Sequence, residues 1–308
     1  MAKMFDFNKN YKKFMIAYLA IFVVGIVIAA IWGVDLDINF RGGTRISYSY
    51  SGDLAEKDIR NAVDEAIKEK FEVSKSTSIA GDTNTFSISL IGNKSLSAKT
   101  QESITKALTE KFKDSKIELY DSNSVSPNIA GSFFFKSMVA VAIAAALVVV
   151  YVGIRFRKIG GVSAGLAALV ALVLDVLITF FTCVFFRLQI DSNYIAVVLT
   201  ILGYSLNDTI VAFDRIRENR KLYPEDDIAE LVNKSINMVL IRNIVTSLTT
   251  FIAVLTVVGV SELFGLTSLR TFGIPMAFGV LSGSITSICI AGPIWVIWQK
   301  KKLAKKAK

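Results

Sequence analysis

The chain has 308 residues, 53% of them hydrophobic, and a mean hydropathy of +0.51. This composition excludes an ordinary soluble protein and indicates an integral membrane protein. The formal net charge of +9 comes largely from basic clusters beside apolar segments, at residues 3–13, 155–158 and 300–308. Such clusters follow the positive-inside rule for membrane proteins, so they do not predict a nucleic-acid partner.

Two further features of the composition limit the chemistry. The sequence contains no histidine, which removes most metal sites and every His-based catalytic arrangement. The two cysteines, Cys183 and Cys289, both lie in apolar segments, so neither a disulfide framework nor a zinc site is indicated. We therefore expect no metal and no cofactor, and any proton chemistry must use carboxylates, Arg, Lys, Tyr or water.

The first apolar segment, residues 14–34, is uncharged and long enough to cross a bilayer, which takes about 20 residues. Its apolar core exceeds the ~7–15 residues usual in a signal peptide. We therefore predict that residues 1–34 form a cytoplasmic N-terminus and a retained first transmembrane helix.

Residues 35–132 are the only large polar segment, and we predict that they form one extracytoplasmic domain. Alternating or β-rich patterns predict strands, with a turn at 80–84 between the middle two: 43–50, 73–79, 85–91 and 116–121. A capping-box pattern at 53–56 precedes one helical stripe, and a second stripe precedes the last strand: Ile59, Val63, Ala66 and Ile67, then Ile104, Leu108 and Phe112. The order β-α-β-β-α-β is that of an α+β ferredoxin-like domain.

Residues 133–308 are predicted to form the second to sixth transmembrane helices, with a basic C-terminal tail. The apolar spans follow one another at these positions: 137–154, 160–186, 193–213, 238–260 and 272–298. An even number of crossings places both termini in the cytoplasm, together with a loop at 214–237. A helix in that loop, with its apolar face formed by Ile228, Leu231, Val232 and Ile236, is expected to lie along the membrane surface.

Ionisable residues inside the spans are the candidates for function. An Asp at the centre of a membrane helix costs about 2.5–3.5 kcal/mol to insert, and such residues mark functional sites by default. Asp208 lies in the fourth span, with Tyr204 and Ser205 one turn before it. Asp175 lies in the third span, with Thr179 and Thr182 on the same helix face.

Arg242 is the expected partner of Asp208. It heads a helical stripe in the fifth span: Arg242, Thr246, Thr249, Ala253 and Thr256. Asp208 precedes Arg215 by seven residues, which is roughly 10 Å of helix, so both groups lie in the inner half of the bilayer. We predict an Asp208–Arg242 pair. A static ion pair that only fixes helix packing is the alternative.

Small residues in the last span predict close helix packing rather than a site: Gly279, Gly283 and Ser287 follow the small-xxx-small pattern. Bends are expected at Pro275, Gly292 and Pro293.

Several motifs resemble those of the SecD/SecF family of protein-export membrane proteins, specifically its SecF members. They are Phe40-Arg-Gly-Gly43 after the first span, Gly203-Tyr-Ser-Leu-Asn-Asp-Thr209 and Phe213-Asp-Arg-Ile-Arg-Glu-Asn219 around the fourth, and Arg242-Asn-Ile-Val-Thr-Ser-Leu-Thr-Thr250 in the fifth. The resemblance implies an α-helical membrane protein with six transmembrane helices, which is half of a resistance–nodulation–division transporter. It also implies that SecD supplies the other half.

The resemblance further implies a role in which the unit associates with the SecYEG channel and uses the proton-motive force to help export unfolded polypeptides across the cytoplasmic membrane. Asp208 and Arg242 then correspond to the proton-coupling residues. Their neighbours Asn207, Tyr204 and Thr246 belong to the same site, and Asp175 to a lesser degree, because Leu174 stands where relatives often have His. The remaining motif residues are structural: Phe40, Gly42, Gly43, Gly203, Asp214, Arg215, Arg217 and Glu218.

Three alternative functions have to be weighed against this role. A half-size efflux or lipid exporter of the same superfamily would usually carry a larger external domain than residues 35–132. An intramembrane aspartyl protease using Asp175 and Asp208 lacks its usual Tyr-Asp and Gly-x-Gly-Asp contexts, so we expect no enzyme. A scaffold subunit without proton coupling remains open. The expected partners are SecD, SecYEG, the exported polypeptide and membrane lipid.

Overall fold

The structure is a computed structural model that describes residues 5–52, 54–67, 71–76, 84–90 and 98–306. It begins with α1 (Phe7–Trp32), a long apolar helix whose N-terminus is capped by Asp6, because the carboxylate accepts a hydrogen bond from the Lys9 amide at 2.9 Å. The helix ends at Gly33, which has a positive φ of 78°. The first predicted span is therefore a helix, and it starts seven residues earlier than the uncharged segment.

A small α+β domain follows α1, and it is called the external domain after its predicted location. Its elements, in chain order, are α2 (Ile38–Arg41), β1 (Gly43–Tyr50), α3 (Glu56–Ala66), β2 (Phe71–Ser76), β3 (Asn84–Leu90), α4 (Ala98–Lys111) and β4 (Glu118–Val125). The strands form one antiparallel sheet in the order β2-β3-β1-β4. This order and the β-α-β-β-α-β sequence confirm the predicted ferredoxin-like fold.

The core of this domain joins one face of the sheet to α3 and α4, as the two predicted helical stripes require. The fully buried members include Ile46, Tyr48, Ile88, Ile59, Val63, Ile104 and Leu108. Tyr48 and Phe86 stack with ring centroids 5.3 Å apart on adjacent strands, and such cross-strand aromatic pairs stabilise a sheet.

Several predicted boundaries in this domain differ from the structure. β2 starts two residues before the predicted strand, while residues 77–83, including most of the predicted turn, lie outside the described part of the chain. β4 runs four residues beyond its prediction because it pairs with β1 as far as Val125. Glu56 is the first residue of α3 rather than the third, so the capping-box prediction was wrong in register.

The membrane bundle is completed by α5 (Pro127–Arg155), α6 (Gly161–Phe185), α7 (Ser192–Leu222), α8 (Ile228–Phe264), α9 (Thr267–Thr286) and α10 (Gly292–Lys306). Together with α1, the described residues contain six helical segments long and apolar enough to cross a membrane, of which α9 and α10 form one. The number of spans agrees with the prediction. α5 starts at Pro127, inside the range 35–132 assigned to the external domain.

The predicted loop at 214–237 is mostly helical. α7 continues to Leu222 and α8 begins at Ile228, where the Asp227 carboxylate caps it by accepting from the Ala229 amide at 2.9 Å. The prediction of a separate surface helix after residue 227 was therefore wrong, because this segment is the first part of α8. Its apolar face packs into the bundle core: Leu231, Val232 and Ile236 are buried.

The last span lies at the centre of the bundle, where α9 packs against α6, α7 and α8. A Cβ on Gly279 or Gly283 would lie within 3.0 Å of side chains on α6 or α7, which explains the predicted small-residue face. Between α9 and α10 the helix makes a π turn at Ser287–Ala291, directly before Gly292 and Pro293. The predicted irregularity is thus a wider helical turn.

Candidate functional site

Asp208 lies buried between α7 and α8, with only 2% of its surface exposed. The Ser247 hydroxyl on α8 donates to its carboxylate at 3.2 Å. Tyr204, one turn earlier on α7, donates from its phenol to Ser247 Oγ at 3.4 Å and to the Thr246 carbonyl at 3.3 Å. The carboxylate is therefore held by a neutral hydroxyl on the neighbouring helix.

The predicted Asp208–Arg242 salt bridge is not formed, and this prediction was wrong as a direct contact. Arg242 is exposed and has no ion pair within 4.0 Å among the described residues, although it is close enough to act electrostatically on Asp208. The reason is the orientation of α8 about its own axis, which sets the face that it turns toward α7. Arg242, Thr246 and Thr249 lie on an outward face of α8, and each threonine hydroxyl donates to a carbonyl of its own helix.

The face of α8 that meets α7 carries Asn243 and Ser247, which are 1% and 3% exposed. The side-chain amide nitrogen of Asn243 has no hydrogen-bond partner among the described residues. Sequence reasoning missed both residues because it followed the threonine stripe, and adjacent positions on a helix point about 100° apart. Asn243 and Ser247 are spaced i, i+4, and this spacing was the available signal.

Asn207 and Gly203 lie on an uncovered side of α7, and a Cβ on Gly203 would meet no atom within 4 Å. Further along the same helix, an open cleft of about 660 Å³ separates α7 from α8. Its lining includes Val211, Asp214, Arg215, Glu218, Met238 and Arg242. Asp214, Arg215 and Glu218 of the fourth-span motif thus line the same cleft as Arg242 of α8.

The charged end of the motif forms three ion pairs, of which one joins α7 to α5 and two lie within α7. Asp214 contacts Arg155 of α5 at 2.9 Å and Arg217 at 2.7 Å, while Arg215 pairs with Glu218 at 2.6 Å. These side chains are partly exposed, so each pair contributes about 0–1 kcal/mol. Only the Asp214–Arg155 pair connects α7 to α5.

Asp175 on α6 is completely buried and accepts hydrogen bonds from hydroxyls on two other helices. Ser205 of α7 donates at 2.6 Å, Ser282 of α9 at 2.6 Å, and Thr286 of α9 at 2.9 and 3.0 Å to the two carboxylate oxygens. The predicted neighbours Thr179 and Thr182 instead donate to carbonyls of α6. Ser282 and Thr286 were not predicted, because only the packing of α9 brings them to Asp175.

The Phe40-Arg-Gly-Gly43 motif lies where the external domain meets the bundle. Phe40 packs against Phe133 and Phe134 of α5, with ring centroids 5.4 and 6.1 Å apart. Gly42 and Gly43 have positive φ values of 78° and 137°, and a Cβ on either would collide with Pro127 or with the Leu90 carbonyl. Glycine is therefore required at both positions.

A second contact in this region connects the domain to the loop between α6 and α7. Leu36 and Ile190 form an isolated parallel bridge, in which the Asp37 amide donates to the Ile190 carbonyl at 3.0 Å. Arg45 of β1 donates to both the buried Asp37 carboxylate and the Gln189 side chain. Burial and the nearby Glu72 carboxylate raise the pKa of Asp35, which accepts from Gln189.

These features together define a multi-pass membrane protein built like half of a resistance–nodulation–division transporter, with one ferredoxin-like domain after its first helix and buried carboxylates on its third and fourth spans. Among the described residues, no group of three or more His, Cys, Asp or Glu side chains could hold a metal ion.

The family model for the protein export membrane protein SecD/SecF, C-terminal, matches residues 104–301. The chain is 33% identical to the protein translocase subunit SecF of Alicyclobacillus acidocaldarius over 304 residues, covering 98% of this chain and 95% of that protein. It is 34% identical to the protein translocase subunit SecDF of Bacillus subtilis over 312 residues, which are 97% of this chain but 39% of that protein. The chain therefore belongs to the SecD/SecF family.

A solved structure agrees with this assignment. The crystal structure of SecDF from Thermus thermophilus, described as a translocon-associated membrane protein, superposes with a TM-score of 0.80 at 28% identity, covering 97% of this chain and 39% of that one. SecDF in a super-membrane-facing form gives a TM-score of 0.69 at 27% identity. The match extends across both the external domain and the helices, so the resemblance seen in the motifs applies to nearly the whole chain.

Proposed function

We propose that the chain acts as a SecF-type subunit that assists Sec-dependent protein export, and that Asp208 couples this work to the proton-motive force. The observation that carries the coupling is the position of Asp208. It is an almost fully buried carboxylate in a membrane helix, held by the Ser247 hydroxyl and near Arg242 without pairing to it. A carboxylate in this setting can exchange a proton when its surroundings change.

The distance between Asp208 and Arg242 is the variable in this mechanism. Approach of the guanidinium favours the ionised carboxylate and therefore proton release, whereas separation favours proton uptake. The two side chains form no ion pair among the described residues, and in the proposed cycle such a separated arrangement favours proton uptake. Each proton moved down 100 mV yields roughly 2.3 kcal/mol, which shifts a conformational equilibrium about fiftyfold.

The outward faces of α7 and α8 point to a SecD-type partner. An exposed Arg242 in a membrane span is costly beside lipid, and Asn207 lies exposed on the neighbouring helix. A second set of membrane helices covering these faces would remove both costs. The SecDF proteins of Bacillus subtilis and Thermus thermophilus, of which this chain matches 39% each, are consistent with SecD as the second half.

The remaining partners follow from the same proposal. A SecYEG channel would deliver the unfolded polypeptide, and the external domain, residues 35–132, would meet it as it emerges. Membrane lipid surrounds the outer surfaces of α1 and α5, which carry many exposed apolar side chains. The relatives named above are translocase subunits, which fits a transport accessory rather than an enzyme.

Orientation is also part of the proposal. Basic clusters at 155–158 and 300–308 place both termini and the α7–α8 connection in the cytoplasm. Tyr120 of β4 is 72% exposed and Leu222 at the end of α7 is 62% exposed, so both suit cysteine labelling. Tyr120→Cys should react with an impermeant thiol reagent applied to intact cells, and Leu222→Cys should not. The reverse pattern would invert the proposed topology.

The test of function is export of a slowly translocating substrate, with and without a proton-motive force, in membranes containing the chain and its SecD-type partner. Asp208→Asn should assemble normally but remove the stimulation by the gradient. Glu262→Gln is the matched control, because Glu262 lies on α8 in a half-exposed pair with Arg270. A full response of Asp208→Asn to the gradient would leave the carboxylate as a packing residue.

A half-size efflux or lipid exporter is the alternative function. It is not favoured, because the similarity to SecF of Alicyclobacillus acidocaldarius covers 95% of that translocase subunit. The same export assay separates the two, since deleting an exporter would leave secretion of the test substrate unchanged.

A further inference from the structure

Asp175 is a buried titratable group that the mechanism above does not use. It lies on α6 with none of its surface exposed. Its two carboxylate oxygens receive hydrogen bonds from Ser205 of α7 and from Ser282 and Thr286 of α9, all between 2.6 and 3.0 Å. One carboxylate thus ties three membrane helices together.

In the described part of the chain, the side chains that contact this carboxylate are hydroxyls and none is positively charged. The nearest titratable group on α1 is Tyr18, whose phenol hydrogen-bonds Ser282 Oγ at 2.9 Å. Asp208 lies one turn from Ser205 on α7, and Cys289 lies in the π turn near Tyr18. Arg155 is the last residue of α5 and Arg270 lies in the first turn of α9, while Lys136 is the tenth residue of α5. Within the described residues, Asp175 has no salt bridge.

A buried charge without a partner is neutralised in proteins, usually by taking up a proton. The oxygen–oxygen distances here are those of direct hydrogen bonds. A metal ion would hold each oxygen about 2.0–2.6 Å from itself and so push the oxygens further apart. The cation that fits between these oxygens is a proton.

We propose that Asp175 is a second proton-binding carboxylate, and that its protonation state controls the tie between α6, α7 and α9. Ionised, it accepts from all three hydroxyls. On binding one proton its charge changes from −1 to 0, and the new O–H must donate. At least one of the three hydroxyls must then turn from donor to acceptor. Protonation therefore rearranges the contacts that hold α7 and α9 against α6.

The local structure suits such a rearrangement. Ser205 also takes part through its carbonyl, which accepts from Thr209 at 3.2 Å and from Ser287 at 3.1 Å. Ser287 begins the π turn that follows Thr286, and π turns often lie at functional sites. Because Ser205 and Asp208 lie one turn apart on α7, a change at Asp175 reaches the helix that carries the proposed coupling residue. Proton binding at Asp175 would add to the function proposed for Asp208 and does not depend on it.

Infrared difference spectroscopy of the assembled complex in liposomes tests this directly. A protonated carboxylic acid has a carbonyl band that is separate from amide bands and shifts in D₂O. We expect a band of this kind that appears as the pH is lowered, disappears in Asp175→Asn and persists in Asp208→Asn. Ser282→Ala should shift the frequency of the band because one hydroxyl partner is lost. Thr182→Val is the matched control, since Thr182 is buried on α6 but bonds only the Ile178 carbonyl, and it should leave the band unchanged.

Two results would overturn the proposal. If Asp175→Asn removes no band, Asp175 is permanently ionised. If the band that Asp175→Asn removes does not change with pH in the wild-type complex, Asp175 is permanently protonated. If Asp175→Asn fails to assemble, Ser282→Ala decides, because an unshifted band cannot belong to Asp175. Asp208→Asn could respond fully to the gradient in the export assay while the Asp175 band still changes with pH. That combination would reject only the function proposed for Asp208.

Discussion

At the scale of single residues, Gly43 shows how one missing side-chain atom allows the external domain to join the bundle. Its φ of 137° is strained for any other residue, and a Cβ there would overlap the Leu90 carbonyl oxygen on β3. The resemblance in the sequence marked Gly42 and Gly43 as structural residues, and both have a positive φ in the structure. It did not predict the strand that passes beside them, which only the sheet order places there.

Gly43→Ala should lower the free energy of unfolding of the external domain by more than about 1 kcal/mol, because the new side chain is incompatible with the native backbone. Gly52→Ala is the matched control: Gly52 also has a positive φ, 89°, but no atom lies within 4 Å of its Cβ position. Denaturant unfolding of the two variants measures the difference. Equal losses would show that the contact with Leu90 has no energetic effect.

The polar residues of the spans were predictable only in part. Asp175 and Asp208 stood out by residue type, and both are buried. Their hydrogen-bond partners did not stand out, because serine and threonine occur often in these helices. Which of them meets the carboxylate depends on how each helix is oriented about its own axis. For α8 the stripe headed by Arg242 and the stripe containing Ser247 are about 100° apart. Sequence periodicity alone does not decide which of them faces α7.

At the scale of elements, the joint between the external domain and the α6–α7 loop is a second strong contact. Arg45 binds the carboxylate of Asp37, whose side chain is 2% exposed, and also binds Gln189. The Leu36–Ile190 bridge lies beside them. The joint connects β1 directly to the loop between the two helices that carry Asp175 and Asp208.

Arg45→Met should leave the Asp37 carboxylate buried without its cation, at a cost of about 3 kcal/mol, the lower end for a broken buried pair. Hydrogen exchange at the Ile190 amide, which bonds the Asp35 carbonyl at 2.8 Å, should then become faster. Arg60→Met is the control, because Arg60 and Glu56 form a pair that is half-exposed on both sides and is worth at most about 1 kcal/mol. Unchanged exchange in Arg45→Met would mean that the bridge does not depend on this ion pair.

The number and order of the helices and strands were predicted better than the residues at which they begin and end. All six spans and the order of the external domain followed from hydropathy and from the change between strand and helix periodicity. The ends of α7 and α8 did not, because the charged residues after 213 look like a loop in the sequence, whereas α7 continues to Leu222 and α8 begins at Ile228. Contacts such as Asn219 with Ser235, at 2.8 Å, stabilise these extensions, and sequence alone does not show them.

At the scale of the whole molecule, the uncovered polar face of α7 and α8 is the feature that a single chain leaves incomplete. Asn207, Arg242 and Thr249 are exposed on it. A SecD-type partner that packs here would shield Thr249, whereas the outer surface of α5, where Leu147 is 64% exposed, would remain in contact with lipid.

Thr249→Cys should therefore react with a lipid-soluble thiol reagent when the chain is produced alone, and should be protected when the SecD-type partner is present. Leu147→Cys is the control and should react in both cases. The native Cys183 and Cys289 are buried, so they add little background. Equal labelling of Thr249→Cys with and without the partner would place the interface elsewhere.

Proton movement by the purified complex tests the central claim most directly. The complex of this chain with its SecD-type partner is reconstituted in liposomes containing a pH-sensitive dye, and a membrane potential is imposed. The wild-type complex should acidify the lumen, and Asp208→Asn should reduce the rate to that of empty liposomes while Glu262→Gln retains it. Proton movement by Asp208→Asn at the wild-type rate would contradict the proposal that this carboxylate carries the coupled proton.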